Sequence, residues 1–210
     1  MNPRLKTCGR CGVAKSVDQF HRKPRRKWGG WQRYCKPCHN AYSIERFRQR
    51  KRDAVAYLGG RCVDCGLVFT DAVFEFHHRD PIAKELTFTK LRGRAWKTII
   101  TELNKCDLLC ANCHRTRHWD GEKDKPSKYD TERARTRKEA AIRYLGGFCF
   151  DCGESFPYYV FEFHHRDAAS KQDNFRRVRS RAWETILEEL AKCDLLCANC
   201  HRIRHWDLPH

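Results

Sequence analysis

The sequence lacks both a long apolar run and a hydrophobic segment behind its first residues. A membrane-spanning helix needs roughly 20 consecutive apolar residues, and no comparable run occurs in the 210 residues. The opening residues Met1, Asn2, Pro3 and Arg4 lead into no apolar stretch, so a secretory signal is not expected. We therefore expect a protein of the reducing cytoplasm that has no membrane partner.

Acidic side chains are also scarce relative to basic ones. The chain has 26 Asp and Glu residues against 43 Lys and Arg residues, which gives a formal net charge of +17. Residues 1–53 alone carry +13, whereas residues 54–120 carry +2 and residues 141–207 carry 0. Because concentrated positive charge favours a polyanionic partner, we predict that the N-terminal segment contacts nucleic acid.

Cysteine, by contrast, is abundant, with 14 residues in the chain. In a reducing compartment so many cysteines indicate metal binding rather than disulfide bonds. Units of roughly 40 to 80 residues bury little apolar surface, and they commonly use a structural metal ion to fold. We therefore expect small zinc-stabilised modules.

The chain contains an internal duplication. Residues 54–120 align without a gap to residues 141–207 at a constant offset of 87, and about two-thirds of the aligned positions are identical. The strings FEFHHRD and KCDLLCANCHR occur in both copies. We predict three domains, 1–43, 44–125 and 126–210, of which the last two are the repeats with their leading helices.

Local patterns predict an α+β fold. Residues 41–57 and 130–144 lack Pro and Gly, and each segment is followed closely by two glycines, which are typical of the end of a helix. This pattern predicts a helix before each repeat. Residues 73–77 are rich in β-prone side chains, and apolar residues recur at helical spacing over 96–103. A last short helix is predicted over 112–118, and the second repeat follows the same pattern.

Paired C-x2-C motifs occur in three sets. The sets are Cys8, Cys11, Cys35 and Cys38; Cys62, Cys65, Cys110 and Cys113; and Cys149, Cys152, Cys197 and Cys200. Four thiolates close a tetrahedron around Zn²⁺ without an open position, so we predict three structural zinc sites. The spacing of the first set is typical of a zinc ribbon. Cys106 and Cys193 remain over, and we interpret them as small buried thiols.

Each repeat also holds four histidines in a fixed order. The order HH, then LLCANCH, then a further His resembles the HNH nuclease family, whose ββα-metal motif is often braced by a four-cysteine zinc knuckle. The resemblance covers both repeats. It implies two tandem ββα-metal, treble-clef-like domains behind the N-terminal zinc ribbon, in a prokaryotic or phage-encoded protein.

The resemblance also implies a role for each of these histidines. His77, His114 and His118 match the ligands of a catalytic divalent ion (Mg²⁺, Mn²⁺, Ni²⁺ or Zn²⁺), and His78 matches the general base. The corresponding residues of the second repeat are the ligands His164, His201 and His205 and the base His165. The function implied is the hydrolysis of DNA phosphodiester bonds by a metal-dependent endonuclease.

The chain departs from the family pattern at one position. The middle Asn of the family name, which helps to hold the loop that orients the base, falls near Lys105 and Lys192. Asn112 and Asn199 lie inside the zinc knuckles and do not replace it. The sequence therefore leaves open which group orients the base.

Basic side chains are the candidates for contacts with DNA. They are Arg25, Arg26, Lys27, Arg46, Arg50, Arg79, Arg92, Arg94, Arg115, Arg166, Arg179 and Arg181. Arg79 and Arg115 are equally compatible with charge stabilisation, phosphate positioning or a solvated surface. Trp31 is compatible with base stacking or with covering the ribbon core.

Two other functions fit the same residues. One is a non-catalytic multi-zinc DNA-binding protein whose histidines are structural, and the other is an HNH nuclease that acts on RNA, because net charge does not distinguish the sugar. We expect double-stranded DNA as the partner and a monomeric pseudo-dimer. The sequence leaves open the cleavage site and whether both catalytic sites work.

Overall fold

The computed structural model describes residues 4–23, 30–82, 85–91, 93–119, 132–167, 169 and 173–206. These residues divide between Ala54 and Val55 into two compact units, and both repeats belong to the second unit. Within the described part of the chain, no helix combines the length and apolarity needed to cross a bilayer.

The first unit contains two small antiparallel sheets and the start of a long helix. Strands β1 (Leu5–Thr7) and β2 (Ala14–Ser16) form one sheet, and β3 (Phe20–Arg22) and β4 (Trp31–Cys35) form the other. Helix α1 (Lys36–Tyr57) follows β4 directly. Trp31 packs against the buried side chains of this unit, which supports its role in covering the ribbon core.

Each repeat of the second unit has the same order of elements. The first repeat contains β5 (Phe74–His78), α2 (Phe88–Leu91), α3 (Trp96–Leu103), β6 (Cys106–Cys110) and α4 (Ala111–His118). The second contains α5 (Glu132–Tyr144), β7 (Phe161–His165), α6 (Phe175–Val178), α7 (Trp183–Leu190), β8 (Cys193–Cys197) and α8 (Ala198–Trp206). The predicted α+β class and the predicted helices are confirmed, although α1 begins earlier than predicted, at Lys36.

Strand β5 pairs with β6 in a two-stranded antiparallel sheet, and the side chains of β5 alternate between the two faces of this sheet. Phe74 enters the core, Phe76 contacts Phe88 of α2 with ring centroids 4.5 Å apart, and His78 contacts α3. Glu75 and His77 point to the other face, where α4 lies. Side-chain alternation along a strand therefore separates the two adjacent histidines.

The two repeats contact each other through α4 and α8 in a reciprocal manner. The backbone N–H of Asn112 donates to Oδ1 of Asn199 at 3.0 Å, and the N–H of Asn199 donates to Oδ1 of Asn112 at 3.0 Å. Trp119 stacks on Tyr159 with centroids 4.9 Å apart. The reciprocal bonds relate the two repeats by an approximate two-fold axis.

Candidate functional site

The three cysteine sets predicted from the sequence come together as three four-cysteine clusters. Within each cluster the sulfur atoms all lie within 4.8 Å of one another, which is close enough for one ion to bind all four. All 14 cysteines lie within the described residues, and none of them forms a disulfide. The clusters are therefore positioned to bind Zn²⁺, and the four-thiolate ligand set makes each site structural.

Local backbone geometry explains why these cysteines converge. A glycine follows the second cysteine of each set. These glycines, Gly12, Gly66 and Gly153, have backbone φ values of 71°, 69° and 72°, which residues other than glycine rarely adopt. The N–H of Cys110 donates to Sγ of Cys62 at 3.3 Å, and equivalent bonds occur in the other two clusters. Such N–H donors stabilise the thiolate form that binds the metal.

The two remaining cysteines stay outside these clusters. Cys106 and Cys193 are buried, and each Sγ lies 3.4 Å from the backbone carbonyl of Glu102 or Glu189. Burial raises the pKa of both thiols to about 11, with the nearby carboxylate adding to the effect. These thiols stay protonated at neutral pH, which supports their interpretation as inert core residues.

A second type of cluster consists of three histidines and occurs once in each repeat. In the first repeat His77 comes from β5, and His114 and His118 come from one face of α4, four residues apart. The three ring centroids are 5.2, 5.0 and 4.6 Å apart. One ligand nitrogen of each ring lies within 4.8 Å of the others, so the cluster could hold a divalent ion with open positions left.

The second repeat reproduces this geometry with His164, His201 and His205. Its centroid distances are 5.3, 5.0 and 4.5 Å, and Nε2 of His205 lies 3.2 Å from Nε2 of His201. The predicted ligand sets are thus brought together in both copies.

The electrostatic surroundings favour the neutral form of the strand histidine in each cluster. Burial, followed by the proximity of His201 and His205, lowers the pKa of His164 to about 4. The same causes lower the pKa of His77 in the first repeat. A neutral imidazole is the form that binds a metal ion, so both strand histidines are ready to bind at neutral pH.

A carboxylate orients one ligand of each cluster. Oε2 of Glu75 lies 2.6 Å from Nδ1 of His114, and Oε2 of Glu162 lies 3.0 Å from Nδ1 of His201. Burial opposes ionisation of Glu75, but the hydrogen bond from His114 and the charge of Arg202 lower its pKa. The carboxylate assigns the proton to Nδ1 and leaves Nε2 for the cluster.

An arginine connects the strand that carries each histidine cluster to the cysteine cluster. Nε of Arg117 donates at 2.8 Å to Asp64, which lies between Cys62 and Cys65, and Nη1 donates at 2.5 Å to Asp107, the residue paired with His77 across the sheet. Arg204 makes the equivalent contacts in the second repeat. These contacts connect the cysteine cluster to the histidine cluster within each repeat.

The predicted base His78 lies outside the histidine cluster, on the opposite face of β5. Its Nε2 lies 2.7 Å from Oε1 of Glu102 on α3, and the two side chains are only 10% and 6% exposed. The corresponding distance between His165 and Glu189 is 2.6 Å. His78 also borders a cavity of about 90 Å³, which has room for water.

Glu102 is a buried partner of His78 that the sequence did not single out. Its carboxylate accepts from His78, from Nζ of Lys105 at 3.1 Å, and from the backbone N–H groups of Glu85 and Leu86 at 3.2 and 3.3 Å. Burial raises its pKa, but the hydrogen bonds from His78 and Lys105 outweigh burial and lower the pKa to about 2. Glu102 thus holds both His78 and the loop that follows β5.

Several arginines predicted to contact DNA also make contacts within the chain. Nη1 of Arg79 donates to the carbonyl of Cys106, and Arg166 donates to that of Cys193, each at 2.9 Å. Arg115 forms an ion pair with Glu162 of the other repeat.

The other side chains predicted to contact DNA differ from one another in their contacts and exposure. Arg46 lies 5.7 Å from the ring centroid of Tyr42, Arg181 donates to Asp173 at 2.6 Å, Arg94 is exposed and Arg50 is half-buried. Arg25, Arg26, Lys27 and Arg92 lie outside the described residues.

A basic and aromatic cavity of about 380 Å³ adjoins the first histidine cluster. Its walls include His114 and His118, and the stacked rings of Trp119 and Tyr159 form another side. Four cationic side chains also line it, namely Arg115, Arg135, Lys138 and Arg179. This combination suits a phosphate with a neighbouring base.

Comparison of the chain with protein-family models, with curated proteins and with solved structures finds no match. The functional argument therefore rests on the geometry of the described residues, and the family resemblance stays a prediction.

The cysteine clusters predict a specific metal content. We expect Cys62→Ser to lower the zinc content by one equivalent relative to the wild-type chain, because a four-thiolate site loses one of its ligands. Cys106→Ser is the matched control, since this buried thiol stands outside the clusters, and it should keep the wild-type content. Elemental analysis of purified protein measures both. Equal zinc content in Cys62→Ser and wild type would contradict the assignment.

Proposed function

We propose that the chain is a metal-dependent endonuclease of the HNH type, with two ββα-metal sites that hydrolyse DNA phosphodiester bonds. The main support for the proposal is the three-histidine cluster, whose members come from an antiparallel strand and a helix next to a four-cysteine cluster. The same arrangement occurs in both repeats. Three neutral nitrogens with open positions are the ligand set that hydrolytic metal sites use.

The ligand set fits the divalent ion that the family resemblance implies. His77, His114 and His118 would hold the ion in the first repeat, and Glu75 would keep His114 in the tautomer that presents Nε2. A bound ion supplies charge stabilisation to the scissile phosphate and to the leaving 3′ oxygen. Burial keeps His77 neutral and ready to bind.

His78 is the proposed general base. Glu102 occupies its Nε2, so Nδ1 is the nitrogen that would accept a proton from the attacking water. Glu102 remains ionised at neutral pH, with a pKa of about 2, and its charge would stabilise the imidazolium that forms. The carboxylate thus takes over the orienting task that the family assigns to its middle Asn.

The charge distribution supports a nucleic-acid substrate. The net charge of +17 and the cationic cavity beside the first cluster both attract phosphate. Stacked aromatic rings in the cavity wall suit a base exposed next to the scissile bond. Double-stranded DNA is the proposed substrate, and RNA is the alternative that a parallel assay distinguishes.

A non-catalytic multi-zinc DNA-binding protein is the second candidate. It draws support from His78, because a nearly buried histidine paired with a buried glutamate is also a common structural element. The two candidates differ in a single property, which is whether the chain breaks phosphodiester bonds.

Plasmid cleavage tests the proposal directly. We expect pure protein with Mg²⁺, Mn²⁺ or Ni²⁺ to nick or linearise supercoiled plasmid. The double variant His78→Ala, His165→Ala should cleave about 10²- to 10⁴-fold more slowly, because it lacks the proton acceptor. His21→Gln in the first unit is the control and should cleave normally. Absence of cleavage with every ion, on DNA and on RNA, would support the binding protein instead.

Glu102 should affect the rate of cleavage without affecting the metal. In a chain whose second base is disabled by His165→Ala, we expect Glu102→Gln to slow cleavage by about tenfold or more, because His78 loses its orienting carboxylate. Metal affinity should stay unchanged, since Glu102 contacts His78 and not the ligands. Glu85→Gln, which removes the exposed partner of Lys105, is the control. An equal effect of both variants would contradict the role.

The cationic cavity predicts which side chains contact the substrate. We expect Arg135→Ala and Lys138→Ala to weaken binding to double-stranded DNA, and each to reduce the slope of log affinity against log salt by about 1. Arg133→Ala removes the same charge from an exposed position of α5 and should have a smaller effect. Fluorescence anisotropy over a salt series measures all three. Equal losses would mean that only the total charge matters.

A further inference from the structure

Each histidine cluster is connected to an arginine of the other repeat. Glu75 of the first repeat binds His114 of its own repeat, and its second carboxylate oxygen forms an ion pair with Arg202 on α8 of the second repeat. In the same way Glu162 binds His201 through one oxygen and pairs with Arg115 on α4 through the other.

The two connections are equivalent by the internal duplication. Arg115 and Arg202 occupy aligned positions, as do Glu75 and Glu162. The same two helices also carry the reciprocal hydrogen bonds of the paired asparagines, which fix α4 against α8. The interface between α4 and α8 within the second unit thus places an arginine of each repeat next to the glutamate of the other repeat.

The physical effect of such an arginine is to fix a carboxylate. Glu75 is only 20% exposed, and a carboxylate at this depth needs both hydrogen bonds and a compensating charge. A guanidinium group donates in a fixed planar geometry, so it restricts the rotation of the carboxylate that it binds. The orientation of Glu75 in turn sets the tautomer and the ring orientation of His114.

We propose that each repeat supplies the positioning arginine for the metal site of the other repeat, so that both sites are complete only in the tandem chain. Arg202 acts on the site of His77, His114 and His118, and Arg115 acts on the site of the second repeat. This role of the arginines rests on the proposed function, because it requires that the histidine clusters bind a divalent ion.

Metal affinity at one isolated cluster tests this proposal. In a background of His164→Ala and His205→Ala, only the first cluster can bind, and Ni²⁺ is titrated calorimetrically into protein whose cysteine sites hold Zn²⁺. We expect Arg202→Gln to weaken Ni²⁺ binding by about tenfold or more, the range found when partners of metal ligands are removed. Arg202→Lys, which keeps the charge but not the planar fork, should recover part of the loss.

Arg115→Gln in the same background is the matched control. It removes an arginine from the same interface, but one that pairs with Glu162 of the disabled cluster. Because Arg115 acts on Glu75 only through its charge and not through the ion pair that Arg202 forms, the Ni²⁺ affinity of Arg115→Gln should fall clearly less than that of Arg202→Gln. In the opposite background of His77→Ala and His118→Ala, the roles of the two variants should exchange.

A second measurement reports the histidine itself. Nitrogen-detected NMR of the imidazole rings distinguishes the Nδ1–H tautomer from the Nε2–H tautomer, and we expect His114 to lose its single tautomer in Arg202→Gln. Zinc content and circular dichroism verify that the variants are folded. If the two arginine variants weaken Ni²⁺ binding equally, or neither does, the proposal is wrong while the metal site stands. If the background protein binds no Ni²⁺ at the histidines, the proposed function fails as well.

Discussion

The other features of each repeat depend on the register in which its two antiparallel strands pair. Phe74 pairs with Cys110 and His77 pairs with Asp107, so β6 ends at a member of the cysteine cluster, directly before α4. A slip of one residue would turn every side chain of β5 to the opposite face. A metal ion bound at the cysteine cluster would oppose such a slip, because Cys110 belongs to the cluster and is also the N-terminal cap of α4.

The register gives the two adjacent histidines separate surroundings. His77 meets α4 and its two histidines, whereas His78 meets a buried carboxylate on α3. Each face has its own orienting glutamate, Glu75 for His114 and Glu102 for His78. Two antiparallel strands with a helix on each face therefore place a three-histidine cluster and a carboxylate-bound histidine one residue apart in the sequence, without direct competition between them for the same hydrogen bonds.

Spacing and repetition were sufficient to predict the cysteine sets and the helices, because these follow from periodicity. The membership of the histidine clusters was predicted from the resemblance to the HNH nuclease family. The roles of charged residues were not predictable in this way. Arg115 was a candidate for DNA contact, but its ion pair with Glu162 of the other repeat was not predicted, since composition does not tell an exposed arginine from one at an interface. Glu102 did leave a signal: it lies among Ile99 and Leu103 on the buried face of an amphipathic helix.

The stacked pair of Trp119 and Tyr159 shows what a covalent duplication permits that an assembly of identical subunits does not. Tyr158 and Tyr159 align with Asp71 and Ala72 of the first repeat, so Trp206, the counterpart of Trp119, has no aligned tyrosine to stack on beside the other histidine cluster. A homodimer must present two identical surfaces. In the tandem chain each half has diverged on its own, so the two histidine clusters have chemically different surroundings.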